Sequence, residues 1–125
     1  MIDKETVTQW AVVAARAAEE KNGTNILVLD VSQVLAITDM FVVTSATSNR
    51  LVRTIADEVE AKVREAGGGD PLRVEGLSEA TWVLLDYGDM VVHIFTDEMR
   101  AFYEIERLYK DVPNVSWMAQ RPVSS

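Results

Sequence analysis

The chain has 125 residues, 12 Lys and Arg against 20 Asp and Glu for a formal net charge of −8, 48% hydrophobic residues and no cysteine. That length holds one domain with a real core and no second domain; without cysteine there is no disulfide framework, thiolate metal site or cysteine nucleophile. The acidic balance argues against a non-specific grip on phosphate backbones and favours basic protein partners.

Val7, Trp10, Ala11, Ala14, Ala17, Ala18 and Lys21 recur at helical spacing, with Arg16, Glu19 and Glu20 off the stripe. This predicts an amphipathic helix ending near Asn22-Gly23, its alanine face suited to close packing and Trp10 filling a larger gap in the core. Asn25 to Asp30 carries the unbroken run Ile26-Leu27-Val28-Leu29 and reads as a strand buried on both faces. Val31 to Thr38 is a connection, and Asp39 to Ala46 a second strand. Thr47 or Ser48 caps the next helix, whose stripe is Val52, Ile55, Ala56, Val59, Val63 and Ala66 and which Gly67-Gly68-Gly69 terminates. A strand at Leu72 to Glu75 completes the pattern of a crossover over a sheet.

The segment from Trp82 to Phe95 has two apolar runs separated by Asp86-Tyr87-Gly88-Asp89 and reads as a β-hairpin. With Tyr87-Gly88 as the loop, Asp86 pairs with Asp89, Leu85 with Met90, Leu84 with Val91, Val83 with Val92 and Trp82 with His93. Alternation then gives an aliphatic face of Val83, Leu85, Met90, Val92 and Ile94, and a mixed face of Trp82, Leu84, Asp86, Asp89, Val91, His93 and Phe95. Two aspartates directly opposite each other oppose pairing by a few tenths of a kcal/mol to about 1, so either the pair is solvated at the hairpin tip or, the preferred functional reading, an arginine or lysine of a partner completes that site.

A last helix follows, capped by Thr96 or Asp97, with Met99, Phe102, Ile105, Leu108 and Tyr109 as its stripe and Glu106 paired to Lys110. Residues 1–112 make up the domain; 113–125 form a C-terminal tail, flexible unless Trp117 and Met118 dock it. No apolar run approaches the roughly 20 residues that span a bilayer, and Met1-Ile2-Asp3-Lys4-Glu5 has neither signal-peptide nor transit-peptide character. The expectation is a soluble cytoplasmic protein without membrane contact.

Catalytic readings find little support. His93 is the only histidine; Asp86 or Asp89 could orient it as a general base, but the expected register sets it beside Trp82, several residues from both. The two aspartates alone would leave a divalent ion mostly water and backbone ligands. Asp30, Asp39 and Asp86 sit at strand ends, yet no two carboxylates stand at i and i+2 on a strand as phosphoryl-transfer magnesium sites need, and no glycine-rich loop opens a helix to hold phosphate. No cofactor, no metal site and no enzyme activity are expected. On the last helix Arg100, Tyr103, Glu106 and Arg107 recur at spacings of three and four, either a solvated face or, beside the mixed hairpin face, part of a binding patch.

Several segments are recognisable together: Thr38-Asp39-Met40-Phe41-Val42-Val43-Thr44-Ser45-Ala46-Thr47-Ser48-Asn49-Arg50, Glu75-Gly76, Trp82 to Phe95, and Arg100-Ala101-Phe102-Tyr103-Glu104-Ile105-Glu106-Arg107-Leu108. They resemble the ribosomal silencing factor, or Iojap, family from about residue 5 to 111; Tyr109 departs from it, since many members end that motif with tryptophan. The resemblance implies a single α/β domain, a mixed sheet of about five strands flanked by helices with nucleotidyltransferase-like topology but without that activity. It also implies a cytoplasmic translational repressor that binds the large ribosomal subunit through a basic ribosomal protein, the fourteenth of that subunit, and sterically blocks joining of the small subunit when nutrients are scarce. Direct nucleic-acid contact would be slight and a homodimer of the free chain is plausible. The residues expected on or bordering the contact surface are Trp82, Leu84, Asp86, Tyr87, Asp89, His93, Phe95, Arg100 and Tyr103. The competing readings are a nucleotidyltransferase-like phosphoryl-transfer enzyme and a dimerisation module.

Overall fold

The computed structural model describes residues 2–118. In chain order the elements are α1 (Lys4–Glu20), β1 (Thr24–Asp30), β2 (Met40–Ala46), α2 (Asn49–Glu65), β3 (Arg73–Glu75), β4 (Trp82–Asp86), β5 (Met90–Thr96), α3 (Asp97–Tyr103) and α4 (Ile105–Leu108). Three side chains start three of the helices by accepting an otherwise orphaned backbone N–H. Asp3 takes that of Thr6 at 2.9 Å, Ser48 that of Leu51 at 3.1 Å and Thr96 that of Met99 at 3.3 Å.

The five strands form one mixed sheet in the order β1-β2-β5-β4-β3. β2 and β5 lie parallel at its centre, Met40 beside Met90 through Ala46 beside Thr96; the other three pairings are antiparallel. This α/β architecture is the one expected, with helices on both faces. The chain does leave β2 through α2, but β3 does not settle beside it. β3 is three residues long with all three exposed, so it sits at the far edge against β4. The central place goes to β5, whose Val92, His93, Ile94 and Phe95 are all buried.

Side-chain alternation splits the core in two. On one face Val28, Met40, Val42, Val83, Leu85, Met90, Val92 and Ile94 pack under α1 and α2. On the other, Leu29, Phe41, Val43 and Phe95 are buried with Val31, and Met99, Ile105, Tyr109 and Val112 cover them. The strand at β1 is buried on both faces as expected only in its second half, Val28 and Leu29; Thr24 and Asn25 are exposed and β1 is an edge strand. The last helix is shorter than its stripe implies. It breaks at Glu104, which adopts φ 46° and ψ 47°, so Phe102 is 75% and Leu108 77% exposed rather than buried. Glu106 does not reach Lys110; its partner is Arg100, at 3.1 Å.

The alanine stripe brings α1 against α2 and the sheet with little side chain between them, and the exit from α1 is correspondingly tight. At Gly23 a Cβ would stand 2.7 Å from the Thr44 Oγ1 and 2.9 Å from the Ala18 carbonyl oxygen. Both neighbours are fixed, the first in the central sheet and the second in the helix. Gly23→Ala is therefore expected to lower unfolding free energy by about 1–3 kcal/mol, read as a fall in the urea midpoint at unchanged slope; a midpoint equal to wild type would show that the turn relaxes freely.

Candidate functional site

The hairpin turns on Gly88 and Asp89, not on Tyr87 and Gly88. Tyr87 N–H donates to the Met90 carbonyl at 2.8 Å, and Gly88 takes φ 88° at the first loop position, as a type II′ turn requires. The register is therefore Trp82 with Phe95, Val83 with Ile94, Leu84 with His93, Leu85 with Val92 and Asp86 with Val91. Each partner differs by two residues from the sequence expectation, and a shift of two preserves the faces. The aliphatic side still packs under the helices, and Trp82, Leu84, Asp86, Val91, His93 and Phe95 still share the other side.

The shift removes the opposed aspartates. Asp86 Oδ1 accepts the Gly88 N–H at 2.8 Å and Oδ2 is 2.9 Å from an Arg73 guanidinium nitrogen. The Gly88 amide and then Arg73 hold its carboxyl below the usual aspartate range despite partial burial. No foreign cation is needed there, because the protein supplies one from β3. Asp89 is exposed at the tip, where its carbonyl accepts the Asp39 N–H at 2.9 Å and ties the turn to β2. Tyr87 faces the α2 side, half-buried; burial and the nearby Glu60 and Asp70 raise its pKa.

Three more of the expected contact residues lie beneath the surface. Phe95 is fully buried, His93 is 4% exposed and Arg100 6%. Arg100 is a tie between elements: its Nε meets Glu106 at 3.1 Å, and one terminal nitrogen reaches the Ser45 hydroxyl at 3.3 Å and the Thr24 carbonyl at 3.4 Å. Its neighbour Arg107 pairs with Glu104 at 2.9 Å. Arg100, expected to face a partner, thus ties α3 and α4 to the sheet instead, while Arg107 pairs on the surface.

What reaches the surface is one end of an aromatic chain. Tyr103, 46% exposed, lies 4.8 Å centroid to centroid from Trp82, which in turn stacks on Phe95 at 4.8 Å and 27°. The Trp82 indole N–H donates to His93 Nδ1 at 3.2 Å. His93 meets the edge of Phe41 at 4.7 Å and Phe41 that of Tyr109 at 5.2 Å. Such pairs contribute about 0.5–1.5 kcal/mol each beyond the area they bury. Phe41 and Tyr109 were not singled out as site residues, although Phe41 shares the face of Val43 by alternation. Beside Trp82 a shallow concavity of about 300 Å³ is lined by Glu75, Gly76 and Leu84. Gly76 has φ 82°, and a Cβ there would overlap the Trp82 carbonyl.

Chemically, the titratable groups here are already engaged or sealed. Because His93 Nδ1 accepts from Trp82, the ring proton sits on Nε2, which is buried without a hydrogen-bond partner among the described residues. Burial lowers the pKa of His93 from 6.5 to about 4, so the ring is neutral near pH 7. Among the described residues no three His, Asp or Glu side chains gather as a metal site. Asp30 is engaged too, accepting the Ser32 hydroxyl at 2.6 Å and pairing with Lys4 at 2.7 Å.

The family described as ribosomal silencing factor during starvation matches residues 4–124, including the segment after Asp111 that the sequence resemblance left outside. A ribosomal silencing factor of Bacillus subtilis is 37% identical over 101 residues, covering 81% of this chain and 85% of that protein. One from Chromobacterium violaceum is 36% identical over 116 residues, covering 93% and 88%. A crystal structure of a Chromobacterium violaceum protein has a TM-score of 0.77 at 34% identity, over 93% of this chain and 89% of that one.

The buried neutral histidine makes stability depend on pH in a defined window. Its folded pKa is below the unfolded value, so the unfolded state binds more protons between about 4 and 6.5 and stability falls as pH drops through that range. From pH 7 to pH 5 the loss is expected to be about 2 kcal/mol. Urea unfolding at both pH values should show this loss in wild type and a much smaller one in His93→Phe. Equal losses in the two proteins would contradict the assignment.

Proposed function

This chain belongs to the ribosomal silencing factor family, and we propose that it represses translation by docking on the large ribosomal subunit and sterically preventing the small subunit from joining. The partner in this reading is a basic protein of the large subunit, the fourteenth, and the setting is the cytoplasm. The net charge of −8 supports the choice of a basic partner, since opposite net charges speed encounter.

The observation that carries the reading is the open part of the second sheet face. Trp82, Leu84 and Tyr103 stand together there beside exposed Phe102, with Glu75 on the rim. An aromatic anchor ringed by apolar side chains and bordered by an acid has the composition of an interface centre. Asp89 lies at the hairpin tip as a rim charge. His93 and Phe95 act from below, by fixing the plane of Trp82. A regulatory role is favoured over phosphoryl transfer because the groups a catalyst would use are already engaged: His93 is sealed with Nδ1 occupied, and Asp86 has one oxygen bonded to the Gly88 amide and the other to Arg73 of β3. A homodimer of the free chain would use the same open face and so compete with the subunit.

Leu84→Lys and Tyr103→Ala are the variants to use. Trp82→Ala also removes a stacking partner of buried Phe95, and a lysine at 86 would break the Asp86 bonds that close the turn. Both chosen variants should keep the wild-type melting temperature within a few degrees. Leu84→Lys should weaken co-sedimentation with purified large subunits at least tenfold, about 1.4 kcal/mol or more; Tyr103→Ala should lose roughly 1–2 kcal/mol. Wild-type binding by both folded variants would remove this face from the interface.

A further inference from the structure

The loop between β3 and β4, residues 76–81, is gripped by α2. Four consecutive carbonyls accept from two side chains one helical turn apart. Asn49 Nδ2 donates to the Glu79 oxygen at 2.9 Å and the Ala80 oxygen at 3.3 Å; Arg53 Nε donates to the Leu77 oxygen at 3.2 Å and one of its terminal nitrogens to the Ser78 oxygen at 2.6 Å. The loop has little local reason to hold this shape. It closes on itself through the Ala80 N–H, which donates to the Gly76 carbonyl at 2.8 Å, and Ala80 is buried at φ 54°, a region that favours glycine. Backbone of that kind persists where its surroundings over-determine it, and here α2 supplies them.

Both ends of the loop belong to the open face. Gly76 enters the loop and Trp82 follows it, and the two line the concavity with Glu75 and Leu84. They meet so closely that no Cβ fits at Gly76 against the Trp82 carbonyl, so a shift of the loop moves one wall of the concavity against the other. α2 packs on the aliphatic face, and its grip therefore reaches the loop from the side of the sheet away from the open face. We propose that Asn49 and Arg53 are positioning residues for docking: without touching the large subunit, they set residues 76–81 so that Gly76 and Trp82 are already in place when the partner arrives. Such a role, which rests on the docking proposed above, acts through order. A loop fixed in its bound shape loses less freedom when it is covered, so releasing it weakens binding and leaves the fold intact.

Two substitutions release the grip without removing the cation or the helix start. Arg53→Lys keeps the charge but loses the fork that spans two carbonyls. Asn49→Asp keeps the size, has no donor at neutral pH and places a negative charge in the first turn of α2, where the helix dipole favours it. It also makes the chain more acidic, which speeds encounter with a basic partner, so weaker binding by this variant cannot come from charge. Each variant should melt within a few degrees of wild type and show the Ala80 amide exchanging about tenfold faster in native-state hydrogen exchange. Co-sedimentation with purified large subunits should weaken roughly threefold in each and about tenfold in the double variant. Unchanged Ala80 exchange in both would overturn the grip. Faster exchange with wild-type binding would overturn the positioning role, as would wild-type binding by Arg53→Lys beside weak binding by Arg53→Ala, which would make Arg53 a direct charge contact. Leu84→Lys, run alongside, separates the two levels. If it binds weakly while the loop variants bind as wild type, only the positioning role fails; if it too binds as wild type, the docking reading fails with it. If the double variant unfolds, the single variants decide.

Discussion

The parallel pairing of β2 with β5 is the constraint from which the rest of the structure follows. Seven residues of β2 are buried, and the seven of β5 run beside them in one unbroken register. A parallel neighbour cannot be reached by a tight turn, so the chain between the two strands must travel. It uses α2 to cross one face and the short β3 and β4 to come back. That route leaves the hairpin of β4 and β5 with one face pressed on α1 and α2. The other face is covered by α3 and α4 over Phe41, Val43 and Phe95, α3 reaching Trp82 only through Tyr103, and Trp82 and Leu84 stay partly exposed.

The open part is held rigid from beneath. Phe95 under the indole, His93 Nδ1 at its N–H and Tyr103 against its outer side leave Trp82 few alternatives. A side chain already ordered before binding loses less freedom when a partner covers it. The same arrangement explains why the single histidine is not a catalyst in this account. It is neutral and sealed, and what it contributes is an acceptor in the right place.

Much of this was legible in the sequence because it depends on local pattern. The helix starts, the strands and the two faces of the hairpin follow from caps and from alternation. The misread register left the faces right because it was wrong by two, and parity is what alternation encodes. Which two residues form the loop was decided by Gly88 taking the first loop position, as a type II′ turn requires, whereas the sequence expectation put it second, where a type I′ turn also accepts glycine. Long-range pairings were not legible. That Arg73, thirteen positions earlier, would neutralise Asp86 depends on β3 lying beside β4. That Arg100 would be buried depends on Ser45 and Thr24 meeting the start of α3. The break at Glu104, a residue with no special freedom at positive φ, left Phe102 and Leu108 outside although their spacing put them in. The segment after Asp111 read as loose because its partner, the β1 edge, where the Val115 N–H donates to the Val28 carbonyl and the Trp117 indole to that of Ile26, is formed more than eighty residues earlier.

The central claim is that this face, once seated on the large subunit, prevents the small one from joining. It is tested most directly by incubating purified large subunits with the protein, adding small subunits, and resolving free subunits from assembled ribosomes by sedimentation. The account predicts that wild type leaves the subunits apart in proportion to its occupancy, and that Leu84→Lys restores assembly. Full assembly in the presence of saturating, bound wild-type protein would contradict it.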